Sequence, residues 1–285
     1  MSKSVLSTRH ILIAAIVILL WGMNFVVIKI GLKGIPPFLM GALRFMLVAF
    51  PAIFFLPRPK VPFKLLLAYA MFISLGQFAF LFSAMAVGMP AGLASLVLQA
   101  QAFFTVGLSA MVFGDKLRPS NLLGMLVASA GLIFALTLCA AFSWASGNVI
   151  NKKIGVTNVL SLVSWSALVP ILPFLLLSYL FEGGDVILHS LSNMSLSSGL
   201  TIVYLAVAAT LIGYTLWGKL LASLPTHLVA PLTLMVPVVG LTAAWLILDE
   251  ALSQTQLLGA VTVMTGLFIN VFGSKLVHNL RNIFA

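Results

Sequence analysis

The stretch WGMNFVVIKIG, residues 21–31, closes an apolar run that starts at Ile11, and a relaxed copy, WASGNVINKKIG, returns at residues 144–155. An Asn and a Lys inside hydrocarbon-loving sequence are costly unless they are paired or face water. Their return in a second copy says that the first occurrence is not an accident of composition. The two stretches together decide the fold.

Working outward, 62% of the residues are hydrophobic and only 7% are charged. A soluble domain carries about a quarter of its residues charged, so this chain cannot clothe a water-facing surface. It reads as an all-α integral membrane protein. The formal net charge of +10 does not mark nucleic-acid binding, because the basic residues do not gather into a patch. They fall in short segments between apolar runs. The lone Cys139 lies in an apolar run, reads as a small buried hydrophobe, and leaves no intramolecular disulfide possible. Lys3 and Arg9 before an apolar stretch resemble a signal peptide, but Trp21 and Asn24 stand where a small-residue cleavage site belongs. The stretch is read as an uncleaved first span.

Apolar segments long enough to cross a bilayer lie near 11–31, 36–57, 65–87, 92–113, 159–181, 200–221, 227–248 and 256–273. The region 121–151 is apolar throughout. If it holds two spans, there are about ten helices. An amino terminus in the cytoplasm then puts Lys3, Arg9, Arg58, Lys60, Lys64, Lys116, Arg118, Lys152, Lys153, Lys219, Lys275 and Arg281 inside. Only Lys29 and Lys33 lie outside, with the acidic Glu182, Asp185, Asp249 and Glu250. That bias is the positive-inside pattern.

The duplication extends beyond the opening motif. At an offset of 124, Asn24, Lys29, Ile30 and Gly31 meet Asn148, Lys153, Ile154 and Gly155. At an offset of 135, Tyr69 meets Tyr204, Pro90 meets Pro225, and Gly124 and Gly131 meet Gly259 and Gly266. The boundaries implied are residues 1–134 and 135–285. Five helices per repeat is an odd number, which inverts the second copy relative to the first. Inverted repeats with polar residues near the midplane are the sequence mark of alternating-access transporters.

The chain resembles the EamA-type drug/metabolite transporters, on WGMNFVVIKIGLKGIPP, LRFMLVAFPAIFF, GMPAGLASLVLQAQAFFTV, AAFSWASGNVINKKI, VAPLTLMVPVVGL and LLGAVTVMTGLFINVFG. The resemblance implies a bacterial inner-membrane exporter of small amino-acid metabolites such as O-acetylserine and cysteine. The chain departs from the family at the repeat junction, which lacks a polar connector. Two helices over 121–151 would each span about 23 Å, short of a roughly 30 Å core, while one would span about 46 Å. A shortened hairpin is the expectation, with one long helix as the alternative.

The polar residues inside spans are the candidate substrate contacts: Asn24, Gln77, Gln99, Gln101 and Asn148, with Trp21 and Trp144 one turn from the two asparagines. Side-chain amides can bond the ammonium and the carboxylate of a zwitterion; the plainer role is interhelical bonding, worth about 0.6 kcal/mol each. Gln99 and Gln101, two apart, cannot share a helix face. Tyr214 and Trp217, with Tyr204, could wall the cavity or simply pack. Arg44 is the only charge well inside a span; it either snorkels outward or holds a substrate carboxylate near the outer mouth. Lys29 and Lys153 read as helix-end cations that reach the interface. Pro231 and Pro237 each free a backbone carbonyl in the span 227–248.

A membrane enzyme is the competing class, but the sequence shows no HExxH, paired carboxylates or Ser–His–Asp set. No cofactor, metal or nucleotide-driven motor is expected. The expected partners are a small-molecule substrate and the lipid bilayer; oligomeric state, coupling ion and direction stay open. Two alternatives remain beside the exporter: a transport-deficient remnant shortened at the junction, and an exporter of broader lipophilic or aromatic metabolites.

Overall fold

The structure, a computed structural model, describes residues 7–113, 132–155, 158–224, 229–254, 256–258, 260–262 and 264–265. The sequence pairs that involve Gly124, Gly131, Pro225, Gly259 and Gly266 lie outside these residues, as do Asp115 and His227. The long helices are α1 (Thr8–Gly31), α2 (Pro37–Phe55), α3 (Phe63–Ala86), α4 (Ala91–Phe113), α5 (Leu132–Ile154) and α6 (Val159–Glu182). A short surface helix, α7 (Gly184–Ser192), precedes α8 (Leu196–Leu220) and α9 (Leu232–Leu248). All but α5, α7 and α9 have been matched to the length and apolar composition of a membrane crossing. In lipid the backbone must satisfy its own polar groups, and helices do so.

Local sequence explains where the helices start. Ser7 accepts a bond from the His10 N–H and caps α1. Pro36–Pro37 and Pro90 open α2 and α4, where a missing N–H costs nothing. The Asn158 side chain caps α6 through the Ser161 N–H.

Helix directions follow from which ends meet. Ala14, near the start of α1, packs with Leu220, Leu224 and Val229. Leu66 at the start of α3 packs with Leu162 at the start of α6, with Ile154 at the end of α5 against them. Trp165 donates to the Leu56 carbonyl after α2, and Lys152 lies 4.4 Å from the Phe113 ring. These contacts define one face of the bundle. At the opposite face Lys29 donates to the carbonyls of Met85 and Met89, Glu182 accepts from the Phe38 and Leu39 N–H groups, and Glu250 accepts from Gly92 N–H. Thus α1 and α3 run from the first face to the second, while α5 and α8 run back. Likewise α2 and α4 oppose α6 and α9. The corresponding helices of the two halves are antiparallel, the inverted arrangement expected from an odd helix count.

The halves interleave. α1 packs on α8 and α9, while its counterpart α5 packs on α3 and α4. Small residues permit both close approaches. A Cβ on Gly22 would stand 2.5 Å from Val239 Cγ1, and one on Gly147 would stand 2.8 Å from Ile73 Cδ1. Backbone irregularities recur too. α3 is π-helical over Ala70–Gly76 and α8 over Tyr204–Ile212. α4 tightens to a 3₁₀ turn at Leu98–Ala100, and another, Ala230–Leu234, leads into α9.

Two expectations change. α5 is not short: its 23 residues span about 34 Å, enough for a hydrocarbon core. The choice between a shortened hairpin and one long helix over 121–151 turns on residues 121–131, which lie outside the described residues. Cys139 is exposed on α5, not buried as its apolar neighbourhood suggested, because an outward face in lipid is as apolar as a core.

Candidate functional site

Four of the candidate aromatics come together where α1, α5 and α8 meet. The Trp21 ring lies 6.3 Å from Trp144, 5.5 Å from Tyr214 and 5.5 Å from Trp217, centre to centre. Its Nε1 donates to the Ala209 carbonyl at 3.0 Å, inside the π-helical part of α8. Sequence spacing placed Trp21 and Trp144 in equivalent positions; the inverted packing makes them neighbours across the two halves.

The five amides divide into two sets. Asn148 Nδ2 donates to Gln101 Oε1 at 3.0 Å, and Gln99 Nε2 donates to the Thr233 carbonyl at 3.2 Å. The second bond joins two separate sequence signals. Pro237 has no N–H to offer the carbonyl four residues back, which is that of Thr233, and Gln99 donates to it instead. Gln99 and Gln101, facing different sides of α4, thus reach α9 and α5 respectively. In contrast, Asn24 Oδ1 and Gln77 Oε1 are buried and have no hydrogen-bond partner. An unsatisfied buried acceptor costs about 1–3 kcal/mol.

Arg44 is 1% exposed and sits in the middle stretch of α2. Buried so deeply, it does not snorkel. Both Nε and Nη2 donate to Thr210 Oγ1, at 3.2 and 2.8 Å, and the Thr210 hydroxyl donates onward to the Leu205 carbonyl at 2.7 Å. The guanidinium carbon lies 3.8 Å from the Phe78 ring centre. Nη1 has no partner. A cation at the centre of a membrane helix costs about 2.5–3.5 kcal/mol on insertion scales. Thr210 and Phe78, which touch Arg44, also line a small cavity of about 10 Å³, close to the room one water needs, together with Tyr69, Ser74, Ser166 and Tyr214 among others.

Other sequence candidates have structural partners. Lys29, half-buried, caps the carbonyl end of α3, while Lys153 is exposed at the end of α5. Tyr204 donates to the Leu20 carbonyl, a bond between α8 and α1. Thr210 and Ser166 went unnoticed in the sequence, and Glu182 was noticed only for its charge. Hydroxyls are too common in membrane helices to stand out, although Thr210 and Tyr214, four apart on one face, offered a weak signal. Among the described residues no group of three or more His, Cys, Asp or Glu is placed to hold a metal ion.

Comparison with known proteins agrees with this architecture. A model described as "EamA-like transporter family" matches twice, over residues 8–137 and 133–272. A protein of Escherichia coli named "Probable amino-acid metabolite efflux pump" is 52% identical over 95% of this chain and 97% of its own length. One of Salmonella typhimurium with the same name is 52% identical over 97% and 99%. A solved crystal structure aligns with a TM-score of 0.63 at 20% identity, over 90% of this chain and 94% of the other, a likeness of fold. The duplicated helices, their inverted packing and these matches agree: the chain is a multi-pass membrane protein that belongs to the EamA-like transporter family, a family of transporters and not of enzymes.

Proposed function

We propose that the protein exports small amino-acid metabolites, O-acetylserine and cysteine among them, across the bacterial inner membrane, with its amino terminus in the cytoplasm. Residues 1–134 and 135–285 are taken as its two five-helix repeats. The observation that carries this reading is the pair of buried amide oxygens, Asn24 Oδ1 and Gln77 Oε1, without donors inside an apolar bundle. A zwitterion's ammonium is a donor that would satisfy them. Trp21, one turn from Asn24 on α1, gathers Trp144, Tyr214 and Trp217 into a set of aromatic surfaces that also favour cations. Gln99 and Asn148 bond α4 to α9 and to α5. The charge distribution supports the orientation: Arg9, Arg58, Lys60, Lys64 and Lys219 lie on the amino-terminal face.

The aromatic group favours one second reading, a cargo with an aromatic or lipophilic side chain. The complete α5 argues against a transport-deficient remnant. One assay addresses all three. Cells that overproduce cysteine precursors express the chain, and external O-acetylserine and cysteine are measured with and without phenylalanine as competitor. Export by the wild type that falls about tenfold in Asn24→Ala, at equal membrane abundance, is the expected result. Strong competition by phenylalanine favours the second reading. No export from folded, membrane-resident protein returns the remnant.

A further inference from the structure

The geometry points to Arg44 as the receptor for the cargo's carboxylate: among the described residues no carboxylate pairs with its guanidinium, and the transported molecule supplies one. This rests on the exporter reading for the cargo's identity, but the anion site is argued from the structure alone.

Among the described residues the acidic side chains are Glu182, Asp185, Asp249 and Glu250, all at the face opposite the amino terminus. Glu182 is engaged by Phe38, Leu39 and Ser178, and Glu250 by Gly92. None of these contacts involves Arg44. What does hold Arg44 is a neutral hydroxyl on one edge and an aromatic ring on one face. A guanidinium has five N–H groups. Thr210 takes one from Nε and one from Nη2. The three that remain are both hydrogens of Nη1 and one of Nη2, which form the end-on fork that binds a carboxylate through two parallel bonds.

Thr210 is oriented for this task. Its proton goes to the Leu205 carbonyl, so its oxygen can only accept from Arg44. The π-helical stretch Tyr204–Ile212 presents that oxygen, and such stretches often mark functional positions. The cavity that Thr210 and Phe78 border is lined also by Tyr69, Ser74 and Tyr214, whose hydroxyls can donate to an anion and bring no negative charge, while Ser166 donates its proton to the Val163 carbonyl. Tyr214 also contacts Trp21. A bound amino acid with its carboxylate on Arg44 would therefore direct its ammonium toward the aromatic group. The present cavity admits about one water, so cargo enters by separating the walls, as alternating access requires. The cargo class that follows is compounds with a free carboxylate; amines that lack one are excluded.

The test uses the purified full chain in lipid nanodiscs, with thermal unfolding as readout, and acetate, cysteine, cysteine methyl ester and sodium chloride as probes. Cysteine and acetate raise the unfolding temperature of the wild type, and the methyl ester does not. Arg44→Gln abolishes the response. Arg44→Lys weakens apparent affinity about tenfold, since an ammonium lacks the planar fork. Thr210→Val, which keeps the charge but frees the guanidinium, also weakens it; this variant carries the test if Arg44→Gln does not fold. A methyl ester that binds as well as cysteine overturns the proposal, and so does chloride alone matching acetate. The exporter reading fails separately. Wild type that exports nothing yet binds acetate through Arg44 keeps the site and removes the function. Export of cysteine and its ester at equal rates keeps the function and removes the site.

Discussion

The two halves share a backbone and differ in chemistry. Shifted by 135 residues, the π-helical Ala70–Gly76 falls within Tyr204–Ile212, and the 3₁₀ turn Leu98–Ala100 overlaps Ala230–Leu234. The first helix of each half donates a side-chain bond into the π-helical stretch of the other half: Trp21 to the Ala209 carbonyl, and Ser143 to that of Phe72. The paired asparagines are not alike. Asn148 bonds Gln101, whereas Asn24 Oδ1 has no partner. The buried cation belongs to the first half only. Duplication supplies a symmetric frame, and the site arises where the symmetry is broken.

The largest effect expected from testing that frame is on close packing. Gly22→Val forces a side chain into Val239, and overpacking of this kind costs about 1–3 kcal/mol. Gly147→Val meets Ile73 in the other half and should cost nearly as much. Thermal unfolding in detergent reads both; a tolerant Gly147 beside an intolerant Gly22 would show that the frame itself is unequal.

Next come the carboxylates that bind helix starts at the face opposite the amino terminus. Glu182 accepts from two backbone N–H groups and from Ser178, while Glu250 accepts from Gly92. Glu182→Ala should cost about 2 kcal/mol and Glu250→Ala about 1, scaled from charged hydrogen bonds and the helix dipole. The reverse order in denaturation midpoints would mean that the Gly92 contact is the more important closure of the two.

Asn148→Ala removes a bond and strands Gln101, at a cost of about 1 kcal/mol. Asn24→Ala removes an unpaired acceptor and should leave stability unchanged or improved, while export falls. A drop in stability for Asn24→Ala equal to that for Asn148→Ala would erase the distinction between binding and bracing amides. The smallest effects belong to Trp21→Phe and Ser143→Ala, about 0.6 kcal/mol each for one interhelical bond. Equal losses sharpen the symmetric frame; a much larger loss for Trp21 would assign the excess to its ring contacts.

Most spans were legible to within a few residues, because a roughly 30 Å hydrocarbon layer demands long apolar runs that composition reveals directly. The expected 36–57, 65–87 and 159–181 became Pro37–Phe55, Phe63–Ala86 and Val159–Glu182. The candidate aromatics and amides were legible as costly residues in lipid, and so was Arg44. Their partners were not. Pro237 and Gln99 were noticed separately, and only the approach of α9 to α4 joins them. Arg44 read equally well as a snorkelling cation, since its distance from Pro37 does not say which face of α2 turns inward. Thr210 and Ser166 were missed because a hydroxyl in a membrane helix can satisfy itself on its own backbone.

The sequence by itself determined the solvent, the crossings and the doubling, because each of these is set by local composition or by internal repetition. Only the tertiary structure decided which buried polar atoms meet and which are left over. Residue spacing fixes the face of a helix, but the neighbour on that face comes from elements more than a hundred positions away, as Thr210 does for Arg44. A buried cation that, among the described residues, meets a hydroxyl and aromatic rings but no carboxylate is thus a property of the assembled bundle.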